Sequence, residues 1–270
     1  MKKIIKSSLY VLGALFIPLY LFGQQSAQEL VVPLTDPGKP GRLEVGLNSG
    51  VISVSGYPGK EVVIAVTTDQ KTVSTDVRDG LRQIPNNSIG LSATEEENVV
   101  QIHSNNWNKK INLDIRVPAS FDLDLNGLND GEIRVENVDG ELEVNFLNGD
   151  VSLVNVSGSV VASSQNGDVK VKLTKVRADT PMAFSSFNGD VDVSFPSNLK
   201  ATVKMRSDHG ELFSDFEMNI RKSNPKVDNN HEAGVYKIEM EGWVTGDING
   251  GGPEMTFKTF NGDILIRKNE

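Results

Sequence analysis

The chain has 270 residues, with 36 Asp or Glu against 27 Lys or Arg, and its formal net charge is −9. That length supplies a sizeable hydrophobic core, whereas the negative charge repels phosphate backbones and argues against nucleic acid as a partner. The absence of Cys excludes disulfides, thiolate zinc sites, cysteine catalysis and a lipid anchor on an N-terminal Cys.

Residues 1–23 are typical of a secretory signal peptide. Three lysines precede the apolar run 9–22, which is short for a membrane span and contains Pro18. We expect cleavage after Gly23, with cleavage near Ala27 or an uncleaved anchor as alternatives. Loss of the three lysines would change the formal charge to −12. The sequence therefore predicts an exported protein, in the periplasm, on the cell surface or secreted.

Residues 24–118 are predicted to form an N-terminal β region. From Leu30 onward, alternating apolar and polar residues or short β-branched runs are separated by Gly, Pro and Asn clusters. The polar stretch 69–87 is predicted to loop out. The predicted strands are Arg42–Leu47, Val51–Ser55, Glu61–Thr67, Ile89–Ala93, Val99–His103 and Ile111–Val117.

Helical periodicity is almost absent from the chain. Within residues 211–220, Leu212, Phe213, Phe216 and Ile220 follow a near-helical spacing. This spacing predicts one short helix there.

Residues 119–270 contain a recurring unit, in which a small polar residue, Gly and an acid precede an apolar–any–apolar strand pattern. The first copy contains Gly131 and the last contains Gly262, with Gly210 in a weaker copy between them. The glycines of successive copies are 18, 18, 22, 21 and 52 residues apart. Such spacing is typical of a solenoid, in which each coil buries its apolar face against its neighbours. The turn pairs of the clearest copies are Asn148-Gly149, Asn166-Gly167, Asn188-Gly189 and Asn261-Gly262.

Each unit also holds a second strand, because residues 142–146 alternate apolar and polar and residues 160–162 repeat that phase one coil later. A coil therefore has two strands and two corners. One corner is the Asn-Gly-acid turn, where Gly adopts a positive φ and Asn tolerates it. The other falls at residues 139–140 or 157–158.

Antiparallel hairpins are the competing interpretation, since Asn-Gly is also the strongest two-residue hairpin signal. Hairpins do not explain why successive copies keep the same flanking phase at 18-residue spacing. We therefore predict an all-β fold, a β-solenoid or β-helix-like stack of 18–22-residue repeats that continues from the N-terminal β region. One internal column of parallel strands should contain Val151, Leu153, Val169, Val171, Val191 and Val193.

These residues resemble the bacterial "putative adhesin" family DUF4097, a domain of unknown function with β-strand repeats. The resemblance lies in Ile111–Pro118 with Phe121–Asn126, in the Gly–acid–apolar series from Gly131 to Gly189, and in the endings Ile248–Pro253 and Thr259–Lys268. It spans roughly residues 40–268. The resemblance implies a β-solenoid-like fold in an exported or membrane-associated bacterial protein, and it brings no catalytic residues.

Patterns that indicate an enzyme are hard to find. His103, His209 and His231 lack the spacing of metal ligands. Two Ser-x-x-Lys matches, at residues 197–200 and 223–226, lack their partner motifs, and the glycine run 250–252 lacks the Lys-Ser/Thr of a phosphate-binding loop. We therefore predict no catalytic residues and no cofactor.

The acids of the repeat are the one candidate ion site. If Asp150, Asp168 and Asp190 occupy equivalent corners, they stack about 4.8 Å apart, the strand spacing. Repulsion in water is then only about 1 kcal/mol per neighbouring pair, so a solvated column of turn acids can persist without an ion. The alternative is a column that binds Ca²⁺ through carboxylate and carbonyl oxygens; we favour the structural role and predict no metal.

Two function classes remain. The first is an exported, non-catalytic binding or scaffold module of the cell envelope, adhesin-like by resemblance, whose partner is an envelope or surface component, protein or glycan. The second is a carbohydrate-active enzyme, a lyase or hydrolase on a β-solenoid, which needs two carboxylates beside a cleft and aromatic residues that stack on sugars. Trp107 and Trp243 lie in unrelated contexts, so the sequence favours the first class.

Overall fold

The protein is described by a computed structural model over residues 28–68, 77–78, 81–82, 89–107, 109–221, 226–228, 237–239 and 242–269. The predicted signal peptide, His231 and most of the predicted loop 69–87 lie outside these residues. Within them, every regular element is a β-strand. No helix among the described residues is long and apolar enough to cross a membrane.

The strands follow one another closely along the chain. They are β1 (Gln28–Pro33), β2 (Gly41–Ser49), β3 (Ile52–Tyr57), β4 (Glu61–Thr68), β5 (Val77–Arg78), β6 (Leu81–Arg82), β7 (Leu91–Glu96), β8 (Val99–Ser104), β9 (Ile111–Pro118), β10 (Phe121–Asn129), β11 (Gly131–Glu136), β12 (Asp139–Asn166), β13 (Val169–Val176), β14 (Met182–Asn188), β15 (Val191–Phe195), β16 (Ala201–Ser207), β17 (Leu212–Ser214), β18 (Met218–Arg221), β19 (Lys226–Asp228), β20 (Lys237–Glu239), β21 (Val244–Ile248), β22 (Glu254–Thr259) and β23 (Ile264–Lys268).

Parallel pairing joins these strands into two faces. Face 1 runs β8, β2, β10, β12, β14, β22, β16, and face 2 runs β9, β3, β11, β12, β13, β15, β23, β17. The 28-residue β12 bends through two corners and contributes to both faces. Each coil thus has one strand on each face, which is a β-solenoid-like arrangement.

The parallel pairing excludes the hairpin interpretation of the Asn-Gly turns. Val151 pairs with Val169, and Val169 pairs with Val191, so the chain passes each turn and continues onto the other face. The predicted internal column exists, because its six residues are at most 3% exposed. The remaining core faces it from face 1, where Phe184 stacks on Phe257 with ring centroids 5.1 Å apart.

The order of the coils departs from the order of the chain at both ends of the stack. Residues 41–57 lie between residues 99–118 and residues 121–136. Residues 254–268 lie between residues 182–195 and residues 201–214. The coil of Gly262, which lies 52 residues after Gly210 in the chain, therefore stacks between the coil of Gly189 and the coil of Gly210.

Antiparallel strands extend both ends of the stack. At one end β4 pairs with β9 and carries β1, and β7 pairs with β8. At the other end β21 pairs with β16 and carries β18. These strands cover backbone groups that a parallel coil would otherwise leave unpaired, which lowers the tendency of an open edge to aggregate.

The strand predictions for residues 24–118 overlap β2, β3, β4, β7, β8 and β9. β1 was not predicted, nor were β5 and β6, which pair with each other inside the predicted loop 69–87. The helix predicted within residues 211–220 is wrong: β17 and β18 occupy that segment. Leu212 pairs with Ile264 of β23, while Phe213 and Ile220 are 51% and 53% exposed. The apolar residues therefore do not share one buried face, and pairing with distant strands overrides the local spacing.

Candidate functional site

The corners that lead from face 1 to face 2 form a column of glycines. A Cβ at Gly167 would overlap the carbonyl oxygen of Gly149, and a Cβ at Gly189 would overlap that of Gly167. The same overlap recurs from one coil to the next. The complete glycine column is, in stacking order, Gly50, Gly131, Gly149, Gly167, Gly189, Gly262 and Gly210.

The asparagines of the Asn-Gly turns have a different role from the one predicted. Asn148, Asn166, Asn188 and Asn261 are not among the described residues with a positive φ. Their side chains form an amide ladder, in which each Nδ2 donates to the Oδ1 of the preceding coil at 2.6–2.7 Å, beginning at Asn129. The ladder satisfies one donor and one acceptor of each inner amide along the stack.

The three candidate acids also lie at successive corners. The Oδ1 of Asp150 accepts the backbone N–H of Asp168 at 2.9 Å, and the Oδ1 of Asp168 accepts that of Asp190 at 3.0 Å. The series continues through Asp263 to Glu211. Among the described residues, no three His, Cys, Asp or Glu side chains are grouped so as to hold a metal ion.

Asp168 has a perturbed carboxyl group. Burial raises its pKa, but the hydrogen bonds from Lys170 Nζ and from the backbone N–H of Asp190 outweigh burial, so that the pKa lies below the ordinary value of 3.8. Lys170 Nζ lies 2.8 Å from Asp168 Oδ2. The charged form of Asp168 is therefore the one that the corner stabilises.

Hydroxyl groups complete the corners on the inner side. Ser164 donates to the carbonyl oxygen of Gly149, Ser186 to that of Gly167 and Thr259 to that of Gly189, at 2.8–2.9 Å. All three side chains are buried. The Asn-Gly-Asp corners are thus hydrogen-bonded structural joints.

A shallow groove of about 490 Å³ crosses the outer surface of face 1, beside these corners. Its polar side is a row of amide and hydroxyl side chains from successive coils: Asn126, Asn145, Ser163 and Ser185. Ser163 Oγ donates to Asn145 Oδ1 at 2.6 Å. The row continues across the middle coils of the stack.

The apolar side of the groove consists of Leu128, Leu147, Phe187 and Phe260, with Gln165 between Leu147 and Phe187 in the stack. The rings of Phe187 and Phe260 stack with centroids 4.8 Å apart and an interplanar angle of 3°. The His209 ring packs edge-on against Phe260 at 4.7 Å. Phe187 nevertheless remains 48% exposed.

Sequence reasoning missed this groove, although a signal for it exists. The residue directly before each Asn-Gly-Asp is Leu147, Gln165, Phe187 or Phe260, and this position faces outward because the strand alternation buries the residue before it. Two of the four residues are Phe, a type that is seldom placed on a solvent-exposed strand surface without a reason.

The other residues considered from the sequence do not converge on a site. His103 lies on the exposed side of β8, and His209 Nδ1 lies 3.3 Å from the Phe260 carbonyl oxygen. Trp107 is 69% exposed, whereas the Trp243 ring lies 4.8 Å from Lys204 Nζ. Glycines 250 and 251 adopt positive φ in a turn closed by the Gly251 N–H to Ile248 carbonyl hydrogen bond.

Comparison with known proteins gives one family and one solved structure. A family model described as Toastrack DUF4097 matches residues 19–249. The structural similarity is to a "putative cell adhesion protein" from Clostridium sporogenes, with 12% identity, 90% of this chain and 100% of that chain covered, and a TM-score of 0.42. No curated protein matches.

Proposed function

Because the chain belongs to the Toastrack family DUF4097, we propose that it is an exported, non-catalytic β-repeat protein of the cell envelope that acts as an adhesin-like binding or scaffold module. The groove on face 1 is its contact surface. The observation that carries this proposal is the apolar side of the groove, where Phe187 stays 48% exposed although its ring stacks on Phe260.

A second apolar side chain of the groove is exposed beside Phe187, since Leu147 is 38% exposed. Exposed apolar surface bounded by polar residues is typical of an interaction site. The hydrogen-bonded coils beneath hold these side chains on a rigid sheet, which favours recognition without rearrangement.

The groove is better suited to binding than to glycoside hydrolysis. Hydrolysis of a glycosidic bond uses two carboxyl groups that flank the substrate, whereas Asp208 is the single carboxylate among the residues that line the groove. The Asp208 Oδ1 also accepts two hydrogen bonds from Arg206, at 3.0 and 2.8 Å. The carbohydrate-active alternative therefore receives no support from the groove.

Export is supported by the sequence of residues 1–23, with its three lysines and its short apolar run. The partner is proposed to be a component of the envelope or of another cell's surface.

The proposal is tested by binding of the labelled mature chain to envelope fractions of the native host. The variant Phe187→Ser removes the exposed ring from the groove, and the matched control Phe213→Ser removes a ring of similar exposure, 51%, from face 2. We expect binding by the wild type and the control and a clear loss with Phe187→Ser. Equal binding by both variants would contradict the proposal.

A further inference from the structure

We propose that the groove binds an uncharged sugar residue of a glycan, held between Phe187 and Leu147 above Gln165. The inference rests on the proposed binding function and adds the chemical class of the ligand. Four properties of the groove carry it: a free aromatic face, a gap of suitable width, unpartnered polar groups, and electrical neutrality.

The aromatic face is that of Phe187. Phe260 covers one face of its ring, since the two rings are parallel within 3° at 4.8 Å. The 48% exposure of Phe187 therefore belongs to the opposite face and the ring edge, on the side of the coil that carries Gln165. The C–H groups on one face of a pyranose are apolar and weakly positive, and the negative face of an aromatic ring attracts them.

The gap on that side has the width of a sugar ring. Phe187 and Leu147 lie two coils apart, with Gln165 on the coil between them. Two strand spacings are about 9.6 Å, while contact with an apolar group on each side of a ring requires about 3.5–4.0 Å per side. A ring can therefore pack against both side chains once Gln165 turns aside.

Polar groups without a partner adjoin the gap. In the part of the chain that the structure describes, neither the Gln165 amide nor the Ser185 hydroxyl has a hydrogen-bond partner. The Asn145 Nδ2 donates to Asn126 Oδ1 only at a long 3.4 Å. Amide and hydroxyl groups can both donate and accept, and this dual capacity matches the hydroxyl groups of a sugar.

The charge of the groove selects an uncharged ligand. Its 15 lining residues include one acid, Asp208, and one base, Lys258, although the whole chain has a net charge of −9. A standard protein interface engages about 20–30 residues per side, so the groove is small for a folded protein partner. Its volume of about 490 Å³ lies within the range of small-ligand sites.

The direct test is calorimetric titration of the mature chain with neutral hexasaccharides, namely cello-, malto- and chitohexaose, and with an oligogalacturonate as the charged counterpart. We expect at least one neutral probe to bind and the charged probe not to bind. Phe187→Ala should weaken binding about tenfold, Gln165→Ala should weaken it less, and Phe213→Ala should leave it unchanged. Circular dichroism melting verifies that each variant is folded.

Absence of binding by all neutral probes, preference for the charged probe, or equal affinity of Phe187→Ala would overturn the inference. A second arm separates its failure from failure of the proposed function. Envelope fractions are treated with periodate, which cleaves vicinal diols of sugars, with chitinase and lysozyme, which cleave the 4-linked N-acetylglucosamine chains that periodate leaves intact, or with protease. Loss of wild-type binding after either glycan-degrading treatment but not after protease supports the glycan; loss after protease alone overturns it while leaving a protein-binding function for the groove.

Discussion

At each corner of the glycine column, the hydrogen of a glycine occupies the place where another residue would have a Cβ. At Gly167 that Cβ would overlap the backbone carbonyl oxygen of Gly149, and backbone atoms of a stacked coil cannot turn aside as a flexible side chain can. Glycine is therefore required at these corners because the coils approach closely, more than because the backbone adopts an unusual dihedral angle. The two residues of each Asn-Gly pair have different roles in this fold. The Asn side-chain amide donates a hydrogen bond to the Asn of the neighbouring coil, and the Gly allows the two coils to approach closely.

The first prediction concerns this close approach. Gly167→Ala should lower the free energy of unfolding by about 1–3 kcal/mol or more, the usual cost of overpacking. Gly38→Ala is the control, because its Cβ would meet only the Asp36 carboxylate oxygen at an ordinary 3.5 Å. Urea unfolding measures both variants. Equal stability of the two would contradict the role assigned to the column.

The second prediction separates a structural acid from a calcium ligand. Asp168→Asn keeps an oxygen that can accept the Asp190 N–H and loses only the charge that pairs with the exposed Lys170, so its free energy of unfolding at pH 7 should fall by less than about 1 kcal/mol, whereas Asp168→Ala also loses the acceptor and should fall by about 1 kcal/mol more. The melting temperature of the wild type should not differ between about 10 mM Ca²⁺, a saturating concentration for weak sites, and chelator. A drop of several degrees in chelator that Asp168→Asn abolishes would show a calcium site.

The third prediction is the acid dependence of the same residue. The pKa of Asp168 is lowered from 3.8 in the folded state, so below that value the unfolded state binds the proton first. Stability from this group is therefore present above pH 3.8 and is lost as the pH falls through the folded-state pKa. Wild type should lose more stability than Asp168→Asn over this interval in urea titrations, and an identical loss would refute the assignment.

At the scale of the strands, alternation was sufficient to predict most of the elements. Residues on β13 alternate between the buried Val169 and Val171 and the exposed Lys170 and Lys172, and such a period of two is visible in any local window. β1, β5 and β6 were missed, and a wrong type of element was predicted within residues 211–220. There the strands are short, and they are specified by pairing with β23 and β21, which a local pattern does not contain.

The fourth prediction tests the buried column of face 2. Val169→Asp should lower the free energy of unfolding by about 3–5 kcal/mol, because it places an unpaired charge between two coils. Lys172→Ser lies on the exposed side of the same strand and should change stability little. Chemical unfolding followed by circular dichroism gives both values; a tolerated Val169→Asp would contradict the burial of this column.

At the scale of the whole molecule, the order of the coils could not be predicted from the repeat. The sequence shows that Gly210 and Gly262 are 52 residues apart, but not that the later coil inserts between two earlier ones. That arrangement depends on which distant strands pair. The groove was missed for a related reason, since Phe187 and Phe260 on its apolar side become neighbours only because the later coil inserts next to the coil of Phe187. Removal of residues 1–23 and export stay predictions, to be checked by the intact mass of the protein from its native host.

The fifth prediction follows from the inserted coil. A chain ending at residue 250 lacks β22 and β23, which pair with β16 and β17 on one side and with β14 and β15 on the other. Residues 201–214 should then lose their contacts with the stack and exchange their amide hydrogens rapidly, while residues 121–171 stay protected. Hydrogen exchange with mass spectrometry compares the two chains. Unchanged protection of residues 201–214 would contradict the coil order.

The contact surface on face 1 is tested most directly by blocking it in an otherwise unchanged molecule. The chain contains no Cys, so Ser185→Cys in the groove and Ser194→Cys on face 2 of the same coil each provide a single site for a bulky maleimide. Binding of the labelled proteins to native envelope fractions is then measured. The label at position 185 should abolish binding and the label at position 194 should leave it intact; binding that survives the label at 185, or is lost equally at both positions, would contradict the assignment.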